Sequence, residues 1–424
     1  MRGGDDGSAA VRASAVARLD EARKSTALWA MDLDHGLPGA RGLYNPSPDG
    51  PGRRTNLRGM RRCDVLVLGG GVAGASLAYH LGRAGVQAAL VERHPRAGVH
   101  ASGRNARLVL QAVREPAVRA LVAASAAAYA ERAGEIGFER CGSLQLGAPE
   151  RLEALRDPAL TASRVLDAPA ARGRVALLAE HRFAAALETP GDGVLDAERL
   201  LEWYLTGARR AGVEVMFGAC ADNVTGSGRT LRVETTAGAW EAARVVDATG
   251  AWAGALAPPG GPRLAALKRH LFLLDHRLPP GEPYVWDLER GFYFRRDGAA
   301  TLACMCDEEP DATLAETVSA GAEERLRQVL APHVPALARA PLVRAWACFR
   351  TYSSDRLPVL GPDGRDERWW WLAGLGGHGL SSSWEVGRLT AAALVEGAEG
   401  LPPALRADRP AVSGAAAPPA PPAC

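Results

Sequence analysis

The order of apolar and polar positions divides the chain into short buried strands, amphipathic helices and two long interruptions. Val65–Leu68 is an apolar run closed by glycines, suited to a strand covered on both faces. From about Ala73 apolar positions recur with helical spacing as far as Arg83, and Gly85 supplies a left-handed stop. Ala88–Val91 reads as the next strand, with Glu92 at its end. The same alternation returns farther on. Asp196 caps a helix running to Arg210, Gly212 ends it, and Val213–Phe217 makes a strand. Arg244–Ala248 is a further strand, leading into the turn sequence ATGAW. Alternation of this kind predicts an α/β fold on a parallel sheet.

Two stretches, about 114–184 and 266–339, interrupt the alternation and are expected to build a second lobe. The first reads as helical, most clearly at Val118–Ala133; the second carries strand-like GFYFRRDG and ATLACMC. Residues 1–60, rich in Gly, Pro, Arg and Asp with one helical stretch near Val11–Lys24, read as an N-terminal extension. They are either an arm on the domain or a stretch ahead of a start at Met60. From residue 399 the chain is rich in Pro and Ala and is expected to be a disordered tail.

Composition narrows the function classes. With 424 residues there is room for a two-lobed enzyme, and a net charge of +2 gives no case for nucleic acid or an anionic membrane. Nearly all basic residues are Arg; Lys24 and Lys268 are the two lysines. The seven cysteines include no C-x-x-C, and the C-x-C at Cys304 and Cys306 lacks a second pair, so no metal site is expected. They read as reduced, mostly buried thiols of a cytoplasmic protein. No apolar stretch has the length of an integral membrane segment.

Chemistry enters at two glycine-rich turns. Gly69, Gly71 and Gly74 form G-x-G-x-x-G between a strand and a helix, where backbone amides meet a pyrophosphate. Glu92 closes the next strand where an acid takes hydrogen bonds from a ribose and repels an added 2′-phosphate. The motif leaves FAD and NAD open. The second turn, GLGGHGLSSSWEVGRL from Gly374, opens another helix, with Ser382 and Glu385 at capping-box spacing. Amides at Gly376, Gly377 and Gly379 suit negative charge that a reduced flavin carries and a nicotinamide does not, which points to FAD.

With LGGGVAGASLAYHL, HASGRNARLV, VVDATGAW and FRTYSSDRLPVLG followed by WWWLAGLGGHGLSSS, the chain resembles the D-amino-acid-oxidase-type (DAO) family of FAD amine oxidoreductases over about Asp64–Glu396. The resemblance implies a Rossmann-like FAD-binding domain assembled from 61–113, 185–265 and 340–398. An α+β substrate domain, 114–184 and 266–339, would cover the flavin. It implies oxidation of a small amine or amino acid, D- or N-methyl, by hydride transfer to flavin N5, with hydrolysis of the imine. Oxygen or a quinone-type acceptor would take the electrons. The alternatives are a flavin-binding subunit of a multi-subunit amino-acid dehydrogenase and, ranked lower, a flavin monooxygenase.

The same resemblance distributes roles. Arg350 matches the carboxylate clamp, Tyr293 the tyrosine that closes the pocket, and Arg269 a weaker candidate beside them. His100 and Ser102 belong to the loop passing under the flavin. The cofactor set becomes Gly69, Gly71, Val72, Ala73, Gly74, Glu92, Arg93, Ser102, Val224, Thr249, Gly250, Trp252, Gly376, Gly377, His378, Gly379 and Leu380. Cys348 stands where sarcosine oxidase attaches its flavin; a buried thiol with non-covalent FAD is favoured there over a covalent link. TLACMCDE lacks the oxygen-activating lysine of sarcosine oxidases, and Ser381 replaces their carboxylate-binding lysine. Both changes tilt the resemblance towards D-amino-acid dehydrogenases and oxidases.

Overall fold

The computed structural model describes residues 60–412; the expected N-terminal extension lies outside them. The first sheet has a parallel centre in the order Asp366–Ala373, Gly238–Asp247, Arg61–Leu68, Ala88–Glu92 and Glu214–Phe217. Antiparallel strands extend it: Ala221–Ser227 and Thr230–Thr235 beside Gly238–Asp247, and Val359–Asp363 beside Asp366–Ala373. Parallel neighbours need crossovers, and the helices Val72–Arg83 and Ala197–Arg210 supply them on one face. The helix Gly379–Glu396 joins this layer by lying against Val72–Arg83. The approach is close because Gly387 has no side chain: a Cβ there would stand 2.2 Å from Ser76 Oγ and 2.8 Å from the Ser76 carbonyl carbon. The opposite face buries Trp240, Trp369 and Trp371.

The second sheet runs Glu309–Pro310, Leu264–Leu274, Ala300–Cys304, Phe292–Asp297, Tyr284–Asp287, Ser143–Gly147, Ala185–Thr189, Arg164–Asp167, with Leu342–Ser353 along the other side of Leu264–Leu274. Alternation sorts its residues. Phe272, Phe292 and Phe294 pack under the helices Ala322–Leu330 and Pro335–Arg339, whereas Leu271, Tyr293, Cys304 and Cys348 gather on the other face with Ala106. That second face is tied to the segment after Glu92. Trp346 Nε1 donates to Arg104 O at 2.8 Å, and Arg295 Nε to Ala106 O at 2.6 Å.

Several expectations shift. The first interruption is not all helical: Ser143–Gly147 and Arg164–Asp167 are strands, because an edge of the second sheet stands ready to pair them. Two boundaries move for the same reason. Ala185–Thr189 and Leu342–Ser353 pair within the second sheet, although the resemblance placed them in the cofactor domain. The expected tail does not begin at 399. Leu401, Leu405 and Val412 are buried, Ala407 N donates to Leu360 O at 2.8 Å, and Arg409 grips Asp355 through Nε–Oδ2 and Nη2–Oδ1, each 2.8 Å. Cys220, expected as a free thiol, is disulfide-bonded. Among the described residues no helix is long and apolar enough to cross a membrane.

Candidate active site

At the carboxyl ends of the parallel strands lies a cavity of about 440 Å³. Its walls come from four turns: Leu68–Gly71, Val91–Arg93 with Gly98–Ser102, Ala219–Asp222, and Asp247–Trp252. Such crevices are where open α/β sheets take ligands. Gly69 has φ +106°, and a Cβ on it would stand 2.6 Å from Ala248 O; Gly74 would meet Gly69 O at 2.0 Å. These two glycines let the turn and the helix close. Gly71 faces the cavity, with Ser102 Oγ 3.0 Å from where a Cβ would sit.

The loop after Glu92 is laced to this turn. Glu92 accepts from Gly70 N at 2.7 Å and from His94 N at 2.8 Å, and Ser102 Oγ accepts from Val72 N at 3.0 Å. Across the cavity, the buried carboxylate of Asp247 holds Thr249 N, Thr249 Oγ1 and Gly254 N, which fixes the turn bearing Gly250 and Trp252. Arg93 lies over the Trp252 ring at 3.8 Å and donates from Nη2 to His100 Nε2 at 2.9 Å. His100 Nε2 also lies 2.8 Å from His94 Nε2, and its Nδ1 stands 3.0 Å from Glu316 Oε2. Glu316 also pairs with Arg104 Nε at 3.3 Å, so the second interruption sends one acid across to this wall.

The strand Leu342–Ser353 packs against both the Gly250–Trp252 turn and the Gly376–His378 turn, and so spans the two glycine-rich ends of the site. On it, Arg350 lies beside Gly377, its guanidinium 3.8 Å from where a Cβ on that glycine would sit. Arg350 Nη2 is 3.5 Å from Tyr293 Oη. Burial pushes the Tyr293 phenol far up, so it stays protonated, with its O–H donating to the Cys304 sulfur. Arg269 shares the face, opposite Cys348 in register, and Leu267 stands opposite Arg350. Among the described residues Arg350 has no carboxylate partner. Gly376, with φ +54°, lies against Tyr352, where a Cβ would meet the ring at 2.6 Å. Burial, then the charge of Arg350, hold the His378 imidazole down at about 4.

Not every expected residue reaches the site. Val224 packs against the tryptophan-rich cluster, two positions beyond the cavity wall at Asp222. Ala73 and Leu380 are buried in the helix layer; the Leu380 carbonyl accepts from Tyr129 Oη at 2.9 Å. The capping box is absent too. The helix starts at Gly379, Ser382 lies in its first turn and donates to His378 O at 2.8 Å, and Glu385 pairs with Arg388. Cys348 is buried on the Arg350 face, and burial raises its thiol to about 11, which makes it a poor nucleophile. Asp247 and Glu316 went unrecognised; the position of Asp247 directly before ATG was a usable signal, whereas nothing in the sequence marks Glu316. His270, Asp307 and Glu309 place ligand atoms within 4.8 Å of one another. However, His270 Nδ1 bonds Asp307 and Nε2 accepts from Ser319 N, so neither nitrogen is available to an ion.

The cavity therefore fits a dinucleotide, with a glycine face for phosphates and an acid beyond it; the cationic turn of Arg350 and Gly376–Gly379 lies outside its lining and joins it through Phe349, the neighbour of Arg350 on the same strand. Comparison with known proteins agrees. The model of the family described as DAO, FAD dependent oxidoreductase, matches residues 64–393. Mitochondrial dimethylglycine dehydrogenase of Rattus norvegicus is 26% identical over 403 residues, covering 85% of this chain and 46% of that protein. The chain thus spans about half the length of that relative. Glycine oxidase of Geobacillus kaustophilus (strain HTA426) is 29% identical over 330 residues, covering 71% and 84%. The structure of L-proline dehydrogenase from P. horikoshii superposes with a TM-score of 0.74 at 19% identity, covering 80% and 94%.

Proposed function

The chain belongs to the DAO family of FAD-dependent oxidoreductases, and on that premise we propose that it oxidises a small amine or amino acid bearing a carboxylate. The observation that carries this reading is Arg350. A guanidinium fixed on a strand, unmatched by any carboxylate among the described residues and bordered by a protonated tyrosine, is a prepared anion site.

The chemistry supplied by FAD, when bound, is acceptance of a hydride from the amine-bearing carbon. Gly69, Gly71 and Ser102 would hold the phosphates, Glu92 the ribose, and Thr249, Gly250 and Trp252 the middle of the molecule. Gly376–Gly379 would border the ring system. Arg350 takes the substrate carboxylate through two parallel N–H donors, and the Tyr293 O–H would turn from Cys304 to the same carboxylate. Together they fix the α-carbon in one orientation, which is where most of the rate would come from. His378, held neutral, adds no charge beside the substrate. No protein base is required, because the neutral amine lone pair can drive C–H cleavage. The electron acceptor is oxygen or a quinone-type molecule, and the substrate a D-amino acid or an N-methyl amino acid.

The test compares amino acids with their decarboxylated amines, using an artificial electron acceptor. Turnover confined to the carboxylate-bearing partner of each pair is expected. Equal turnover of both would remove Arg350 from the account.

A further inference from the structure

Arg350 has a cationic neighbour. Arg269 lies on the adjacent strand and the same sheet face, with 4% of its surface exposed, and its Nε is buried without a hydrogen-bond partner. Two guanidinium groups this close should make a pocket for two negative groups. The difference between them is Glu308. Its Oε1 is 3.3 Å from Arg269 Nη2 and 2.6 Å from Arg356 Nη2. Arg356 itself lies over the Tyr352 ring at 3.9 Å, so the carboxylate sits at the rim of the same face. Arg356, half-exposed, is the nearer partner of Glu308, and Arg269 is the buried one.

We propose that Glu308 sets the substrate class by occupying Arg269, so that the pocket accepts one carboxylate, at Arg350, and excludes dicarboxylic amines. This rests on the reading of Arg350 as the carboxylate clamp. Discrimination here comes from a repulsive element: a second carboxylate approaching Arg269 meets Glu308. The neighbouring groups are accounted for on this face. Tyr293 is protonated and His378 neutral, and the Cys304 thiol, although raised by burial, is brought down by its hydrogen bond to Cys306 and by Arg269 and Arg350.

The experiment uses the FAD-loaded full chain and does not depend on turnover. Acetate and malonate are titrated into the wild type, Glu308→Gln and Glu308→Asp, and the perturbation of the flavin absorption band gives each Kd. The wild type is expected to favour acetate. Glu308→Gln should shift the malonate-to-acetate preference by roughly tenfold or more towards malonate, the equivalent of one charge-assisted hydrogen bond. Glu308→Asp should restore the wild-type order. An unchanged ratio in Glu308→Gln overturns the proposal, as does a flavin that neither carboxylate perturbs in any of the three proteins. A purely structural role for Glu308 would weaken both ligands together and leave the ratio alone. If no amine reduces the flavin while the ratio still shifts, the oxidation reading fails and the charge assignment stands.

Discussion

Replacing Arg350 by methionine separates a functional arginine from a structural one. The side chains are similar in length, so the strand Leu342–Ser353 keeps its packing. The lost interaction in the protein itself is small: a long contact with Tyr293 Oη at 3.5 Å. No carboxylate among the described residues is stranded by the change, so stability should stay within about 1 kcal/mol of the wild type. The substrate loses far more. Two charge-assisted hydrogen bonds, at about 1.5–3 kcal/mol each, amount to about 3–6 kcal/mol of binding and alignment. That corresponds to a fall in kcat/KM of about two to four powers of ten. Stopped-flow reduction of the flavin under anaerobic conditions measures the rate, and thermal melting of the same samples measures stability. A fall of less than tenfold, or a loss of several kcal/mol in stability with the rate intact, would refute the assignment.

The remaining predictions concern the frame around the site. Gly69→Ala puts a Cβ 2.6 Å from Ala248 O at φ +106°, so purified protein should carry far less FAD, read from its absorbance ratio. Arg409→Ala leaves Asp355 without the guanidinium that helps to hold its carboxyl, against burial, at about 2. About 2–3 kcal/mol should be lost in a denaturant melt, from a segment remote from the cavity. His378 has a folded pKa near 4 against 6.5 unfolded. The unfolded chain therefore binds the extra proton first, and stability contributed by neutral His378 is present above pH 6.5 and lost as pH falls towards 4. Its full size is at most about 3 kcal/mol; a His378→Gln variant should show a flatter acid limb in melts between those pH values.

How much of this was legible depends on where each signal is generated. The turn Gly69–Gly74 and Glu92 are local and the sequence pattern located both, whereas the strand before the turn ends where expected but begins four residues earlier, at Arg61. Arg350 and Gly377 are separated by a two-stranded hairpin, Val359–Asp363 and Asp366–Ala373, and it was the resemblance, not a local pattern, that named both. What sequence reading lost was decided by tertiary pairing. Ala185–Thr189 reads as a strand anywhere, and only the free edge at Ser143–Gly147 assigns it to the second sheet. Leu401–Val412 looks like tail because its apolar residues are sparse, yet Leu401, Leu405 and Val412 each find a buried slot. Val224 sits two residues past the cavity wall, a shift that strand periodicity cannot resolve. Glu316 and Glu308 act across from an interruption whose register nothing local determines.

The central claim is that FAD and a carboxylate-bearing amine meet at Arg350. The most direct measurement is anaerobic mixing of the purified, FAD-loaded chain with a panel of D-, L- and N-methyl amino acids, following the visible flavin band. At least one of them should bleach the band in the wild type and do so far more slowly in Arg350→Met. A band that no amino acid bleaches, or one that bleaches equally fast in both proteins, would contradict it.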